Sequence, residues 1–213
     1  MYYIYDVFIS YRRQHQWTHW TREHLKGLLD TFLTQELGDP PRIFIDEQIE
    51  PGADWPIRLG DALARSRVLV GVFSRDYFND KYWCIHELDL MYARQQQFPD
   101  KCLIFPAIGH DGDLIPEEIR RIQSCDLKEF RNPDLQRRTP RFEKFADAIN
   151  ALAPHVADAI FSAPLFQDSW LLDCRTRFNR VYQQSLSGGP AVAVQTLTLK
   201  PMPEPARAPR VTI

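Results

Sequence analysis

The chain has 213 residues and a mass of 25.0 kDa, and 44% of its residues are hydrophobic against 25% charged, which excludes a wholly disordered or fibrous protein and leaves room for one substantial core plus an appendage. Lys plus Arg (26) nearly balance Asp plus Glu (28), and a net charge of −2 provides no overall drive toward nucleic acid or an anionic membrane. Cys84, Cys102, Cys125 and Cys174 form no Cys-x-x-Cys pair, residues 1–6 lack a signal-peptide pattern, and no apolar run reaches membrane-spanning length; a cytoplasmic, reducing location is expected.

In chain order, residues 4–10 (IYDVFIS) read as a buried strand, and Thr18 to Glu36 as a helix carrying Trp20, Leu25, Leu29 and Leu33. A second short strand follows at 42–46, a helix at 55–66, a third strand at 67–73 and a helix at 82–96. The fourth strand is expected at 102–108, then a short helix at 116–122, a weak strand at 125–130 and a last helix at 141–161, which Pro154 should kink or end early. Apolar runs without alternation, separated by helix-length connections, imply parallel strands covered on both faces. The expected fold is therefore α/β, a flavodoxin-like open doubly wound parallel sheet of about five strands.

This domain is expected over residues 1–163. An amphipathic pattern at 164–186 (Trp170, Leu171, Cys174, Phe178, Val181) suggests an additional docked helix. Residues 187–213 hold five of the sixteen prolines and a Gly188-Gly189 pair, and are expected to form a flexible tail.

In an open parallel sheet, ligands bind beyond the carboxyl ends of the strands. Those positions carry Ser10-Tyr11-Arg12-Arg13, then Asp46 and the loop to Trp55, then Ser74 and Tyr77. The third of these leads into a helix where Trp83 and Glu87, four residues apart, are expected to share one face. Each residue also has a plainer reading. Tyr11 caps a sheet, Arg12 is surface charge, Asp46 caps a turn, and Trp83 packs in a core. His15 and His19 lack the acidic partner and third ligand of a metal site, so no metal is expected. Dinucleotide, phosphate-loop and nucleophile-elbow motifs are absent from the sequence, and Cys84, among aromatic and apolar neighbours, reads as a buried structural thiol.

Four segments in order, YDVFISYRR at 5–13, IFID at 43–46 with Pro51-Gly52 after it, ARSRVLV at 64–70 and YWCIHEL at 82–88, resemble a Toll/interleukin-1 receptor (TIR) domain over about residues 1 to 160, with the closest look to bacterial TIR proteins of the NAD-cleaving type. The resemblance implies NAD+ nucleosidase activity, releasing nicotinamide and ADP-ribose or a cyclic isomer, in antiphage defence. It implies Glu87 as the catalytic residue, Trp83 as the aromatic facing the substrate and Ser10, Tyr11 and Arg12 near the nucleotide; Asp46, Ser74 and Tyr77 are expected around the substrate from their places at the strand ends. NAD+ is then substrate, with no cofactor, and loop 47–55 mediates self-association, with a partner effector or sensor as a further expectation. Two other functions stay open: a non-catalytic TIR interaction module, and an enzyme resembling nucleoside deoxyribosyltransferases.

Overall fold

The computed structural model describes residues 2–13, 15–46, 54–78, 83–110, 112–188 and 192–199. Among them, five strands pair in parallel: β1 (Tyr5–Tyr11), β2 (Ile43–Phe44), β3 (Ser66–Phe73), β4 (Ile104–Ile108) and β5 (Cys125–Asp126). Their order is β2-β1-β3-β4-β5. The chain leaves β1 toward one edge and β3 toward the other, so a crevice opens at the carboxyl ends of these two central strands. The helices are α1 (His15–Trp20), continued by a π-helical turn at Thr21–Lys26 into α2 (Gly27–Leu37), then α3 (Trp55–Ala64), α4 (Arg75–Phe78), α5 (Cys84–Gln96), α6 (Glu117–Arg120), α7 (Pro140–Phe161) and α8 (Asp168–Ser187).

Strand side chains alternate between faces, and the sheet divides the apolar residues into two cores accordingly. Val7, Ile9 and Tyr11 of β1 pack with Trp20, Leu29 and Phe145 on one face. Phe8 packs on the other face with Leu63, Leu88, Met91 and Phe178. Ser10 has the parity of Phe8 and is thereby aimed at the face covered by α5, while Tyr11 is aimed at the face covered by α2 and α7.

Gly71 lies opposite Ser10 in the β1–β3 ladder, and a Cβ at this position would fall 2.3 Å from the Phe73 ring. That ring in turn packs on Tyr77, 4.9 Å between centroids. Gly71→Ala is expected to displace Phe73 at a cost of about 1–3 kcal/mol. A thermal melt identical to that of the wild type would show that the ring relocates freely.

Two expectations are corrected. Helix α7 runs through Pro154 to Phe161 without ending early. Pro154 and Asn150, whose carbonyl loses its helical donor, are both exposed, while Ala153, Val156, Ala157 and Ile160 are buried, so packing outweighs the missing bond. The expected flexible tail from 187 is corrected over residues 192–199. The amides of Gln195, Thr196 and Leu197 donate to Asp89 of α5, and Leu197 is buried in the second core. One buried carboxylate offsets the ordering entropy that composition alone leaves uncompensated. Residues 189–191 and 200–213 lie outside the described residues. Residues 168–187 form α8, which packs closely on α3 because Gly60 brings the helix backbones together; its Cβ position is 3.2 Å from the Cys174 backbone.

Two acidic groups tie the fold together. Asp6 accepts from the Arg42 amide and guanidinium at 2.8–3.1 Å and lies 3.3 Å from Arg67, linking the amino ends of the three strands β2, β1 and β3. Burial pushes the Asp6 pKa up, but the Arg42 hydrogen bonds and the Arg42 and Arg67 charges outweigh it and hold the carboxyl below its usual range. Asp89 behaves alike: burial opposes ionisation, and the donors from Thr196 and Gln195 with the Arg177 charge overcome it. A carboxyl depressed in the folded state adds stability that is complete above its unfolded value, near 3.8, and is lost as pH falls through the folded value. Circular dichroism is expected to stay flat from about pH 7 to about pH 5 and to report unfolding only below about pH 4. Unfolding that begins near about pH 6 would place the sensitive groups elsewhere.

Candidate functional site

The carboxyl end of β1 brings Ser10 to the carboxylate of Glu87. Glu87 stands in the first turn of α5, where the helix dipole favours negative charge, and it is 5% exposed. Ser10 Oγ donates to Glu87 Oε2 at 2.5 Å. The Tyr77 hydroxyl lies 2.8 Å from Ser10 Oγ and donates to the Cys84 carbonyl at 3.0 Å. With Glu87 ionised, Ser10 and Tyr77 supply two protons to these three contacts, so Tyr77 divides its proton between Ser10 and Cys84. Beneath this chain, Ser74 Oγ accepts from the Tyr77 amide at 3.2 Å and caps the short helix α4.

β1 sends its next side chain to the opposite face. The Tyr11 hydroxyl donates to Asp46 Oδ1 at 2.9 Å, and Arg13 Nε lies 3.3 Å from Asp46 Oδ2. Arg12, between them, is partly exposed at the end of the strand. The two clusters meet through Cys84, the first residue of α5, whose thiol donates to the Tyr11 carbonyl at 3.3 Å. Cys84 is buried, with a hydrogen bond that serves packing.

The structure thus joins Ser10, Ser74, Tyr77 and Glu87 in one network and Tyr11 with Asp46 in a second. Tyr77 has no exposed surface and Ser74 has 2%, so Tyr77 reaches Glu87 through Ser10 and Ser74 reaches it through Tyr77, where the sequence suggested a rim open to ligand. Trp83 is also placed differently. It is the N-cap of α5, with non-helical φ −124 and ψ −72, so it precedes the helix face on which it was expected. Its ring is partly buried, edge-on to Trp55 at 4.3 Å and stacked on Phe178 at 6.1 Å. Of the expected association loop 47–55, residues 47–53 lie outside the described residues. Asp54 caps α3 through the Ile57 amide, and Trp55 packs on Trp83.

Sequence reasoning missed a buried polar cluster beside Glu87, formed by His86, Asp89 and Arg177. His86 and Asp89, three apart in a largely buried helix, are a local signal that was available; Arg177, 88 residues from Asp89, is not visible by spacing. Away from the crevice, a cavity of about 550 Å³ lies between α7 and the amino ends of β4 and β5, lined by Cys102, Cys125, Leu152, His155 and Asp158. Burial raises the pKa of both thiols, that of Cys125 to about 11, so neither is a ready nucleophile. Among the described residues no three His, Cys, Asp or Glu side chains converge to hold a metal ion. No helix among them is long and apolar enough to cross a membrane.

A five-stranded parallel sheet in flavodoxin-like order, with a hydroxyl-held carboxylate at its switch point, defines an α/β protein with a candidate site at the carboxyl edge of the sheet. The TIR domain family model matches residues 7–139, and the chain belongs to that family. The chain is also similar to a solved structure described as the activated Roq1 resistosome directly recognizing the pathogen effector XopQ (TIR domains). Identity is 22% over 85% of this chain and 99% of the other, with a TM-score of 0.39, a likeness that carries no functional argument. Comparison with curated protein sequences returns no match.

Proposed function

We propose that this TIR domain is an NAD+ nucleosidase with Glu87 as its catalytic group. The observation that carries the reading is the Glu87 carboxylate held 2.5 Å from Ser10 at the carboxyl edge of the two central strands. The bond between ribose and nicotinamide has a cationic pyridinium as its leaving group, which departs neutral and needs no general acid. One carboxylate then suffices, unlike glycoside hydrolysis with an oxygen leaving group, which requires a second carboxyl as acid. Positive charge builds on the ribose as the bond breaks, and a fixed anion stabilises it without reorganisation. Ser10 holds that anion, Tyr77 holds Ser10, and Ser74 holds the Tyr77 amide, while Tyr11, Arg12, Asp46 and Trp83 stand at the same edge of the sheet and would meet the nucleotide once the site opens. NAD+ is consumed as substrate, and no cofactor enters.

Within this reading the loop 47–55 mediates self-association, and the output, NAD+ depletion or a cyclic signal, serves antiphage defence. A second reading, a TIR module that only assembles, is favoured by one observation: Glu87 is 5% exposed, so substrate reaches it only after the site opens. Incubating the purified full-length chain with NAD+, with and without crowding agents that promote assembly, and identifying products by mass spectrometry separates the two. Nicotinamide with ADP-ribose or a cyclic isomer is expected. Intact NAD+ under both conditions would favour the assembly module.

A further inference from the structure

Residues 168–188 and 192–199 lie beyond the stretch matched by the TIR family, yet side chains and amides from both grip the helix that bears Glu87. Arg177 Nη1 carries two hydrogens and meets two acceptors on α5, Asp89 Oδ2 at 3.1 Å and His86 Nδ1 at 3.2 Å. Because arginine only donates, His86 Nδ1 accepts, which fixes the ring as the neutral tautomer with its proton on Nε2. The next residue, Phe178, stacks on Trp83 with an interplanar angle of 14°. From the far side, Asp89 Oδ1 accepts from the amides of Gln195, Thr196 and Leu197 at 2.8–3.2 Å and from Thr196 Oγ1 at 2.6 Å. His86 and Asp89 lie three apart on α5 and Glu87 stands between them in sequence, about 100° round the helix from His86, so the grip on 86 and 89 fixes the direction in which Glu87 points.

Stability alone does not call for charge here. Arg177 is 7% exposed, Asp89 1% and His86 0%, and an apolar cluster of the same shape is often as stable as a buried ion pair. An ion pair with one nitrogen on two acceptors does something that apolar packing does less well: it sets the rotation and axial position of a helix. Rotating α5 by about 20°, with the carboxylate about 6 Å from the axis, moves that group about 2 Å. Misplacement by about 1 Å costs up to about a hundredfold in rate.

We propose that Arg177 is a positioning residue for Glu87, acting through His86 and Asp89, and that segment 195–197 locks this arrangement from outside. The kinetic part of the proposal rests on the nucleosidase reading; the positional part does not. The test compares Arg177→Met and Arg177→Lys with the wild type, all as the full chain. Hydrogen exchange at residues 85–89 and the kcat and KM for NAD+ are measured together. For Arg177→Met, exchange at 85–89 is expected to rise about tenfold, with β1 and β3 unchanged. Its kcat is expected to fall about tenfold or more, with KM within about twofold. Arg177→Lys, which keeps the charge and can meet one of the two acceptors, should fall between. Thr196→Ala removes one donor and leaves the ion pair intact; it replaces Arg177→Met where that variant does not fold, and a smaller change in the same direction is expected. Unchanged exchange at 85–89 overturns the proposal, as does faster exchange with unaltered kcat. A wild-type chain that leaves NAD+ intact counts against the nucleosidase reading, and the exchange measurement then decides the positioning role by itself.

Discussion

Under the proposed nucleosidase function, Glu87→Gln is expected to lower NAD+ turnover by about a thousandfold while the melting temperature stays within about 3 °C of the wild type. The two effects separate because the substitution is nearly isosteric. The glutamine amide oxygen still accepts from Ser10 Oγ, so the contact that seats the side chain survives. What is lost is the full negative charge that the proposed mechanism sets opposite a developing oxocarbenium ion, at a position where Glu87 is 5% exposed and water screens little. Initial rates under assembly-promoting conditions, with parallel melts, provide the measurement. Retention of more than about a tenth of the wild-type rate would remove Glu87 from the catalytic role.

The largest expected effect on stability is at Asp89. Asp89→Ala is expected to cost about 3–5 kcal/mol, because it leaves the Arg177 guanidinium buried without its counter-charge. It also strips the acceptor from the amides of Gln195, Thr196 and Leu197. In a chain of this size the loss corresponds to roughly 10 °C or more in melting temperature. Asp89→Asn, which keeps oxygen acceptance but not charge, should cost less. Urea unfolding of the three proteins gives the comparison. A loss below about 1 kcal/mol for Asp89→Ala would mean that segment 192–199 detaches without consequence and that Arg177 finds another partner. Removal of residues 188–213 is expected to destabilise for the same reason, because it takes away the amides of Gln195, Thr196 and Leu197 that Asp89 accepts from.

The residues themselves show how far local information reaches. YDVFISY at 5–11 and SRVLVGVF at 66–73 are strands because β-branched and aromatic side chains suit a sheet buried on both faces, and that preference is written within each segment. The repeated change from strand to helix implies a parallel sheet, since parallel neighbours need long crossovers. The carboxyl ends of β1 and β3 could therefore be read from the sequence as the place to look for a site, whereas Glu87 was singled out there by the resemblance of YWCIHEL at 82–88 to TIR domains. The bounds of α7 were legible from its periodicity, but an early end at Pro154 was expected because proline is a strong local breaker, and only the packing of Ala153, Val156 and Ile160 outweighs it.

Tertiary structure alone decided which polar groups meet. Ser10 and Glu87 are separated by 77 residues, Arg177 and Asp89 by 88, and Asp89 and the amide of Thr196 by 107. Trp83 turned toward Phe178, not toward the expected helix face, because α8 supplies an aromatic surface that no spacing near residue 83 announces. Periodicity records which face of an element is apolar, a property of neighbours along the chain. Which buried donor finds which acceptor depends on how the elements dock, and a single carboxylate such as Asp89 can order a segment whose own composition contains no reason to be ordered.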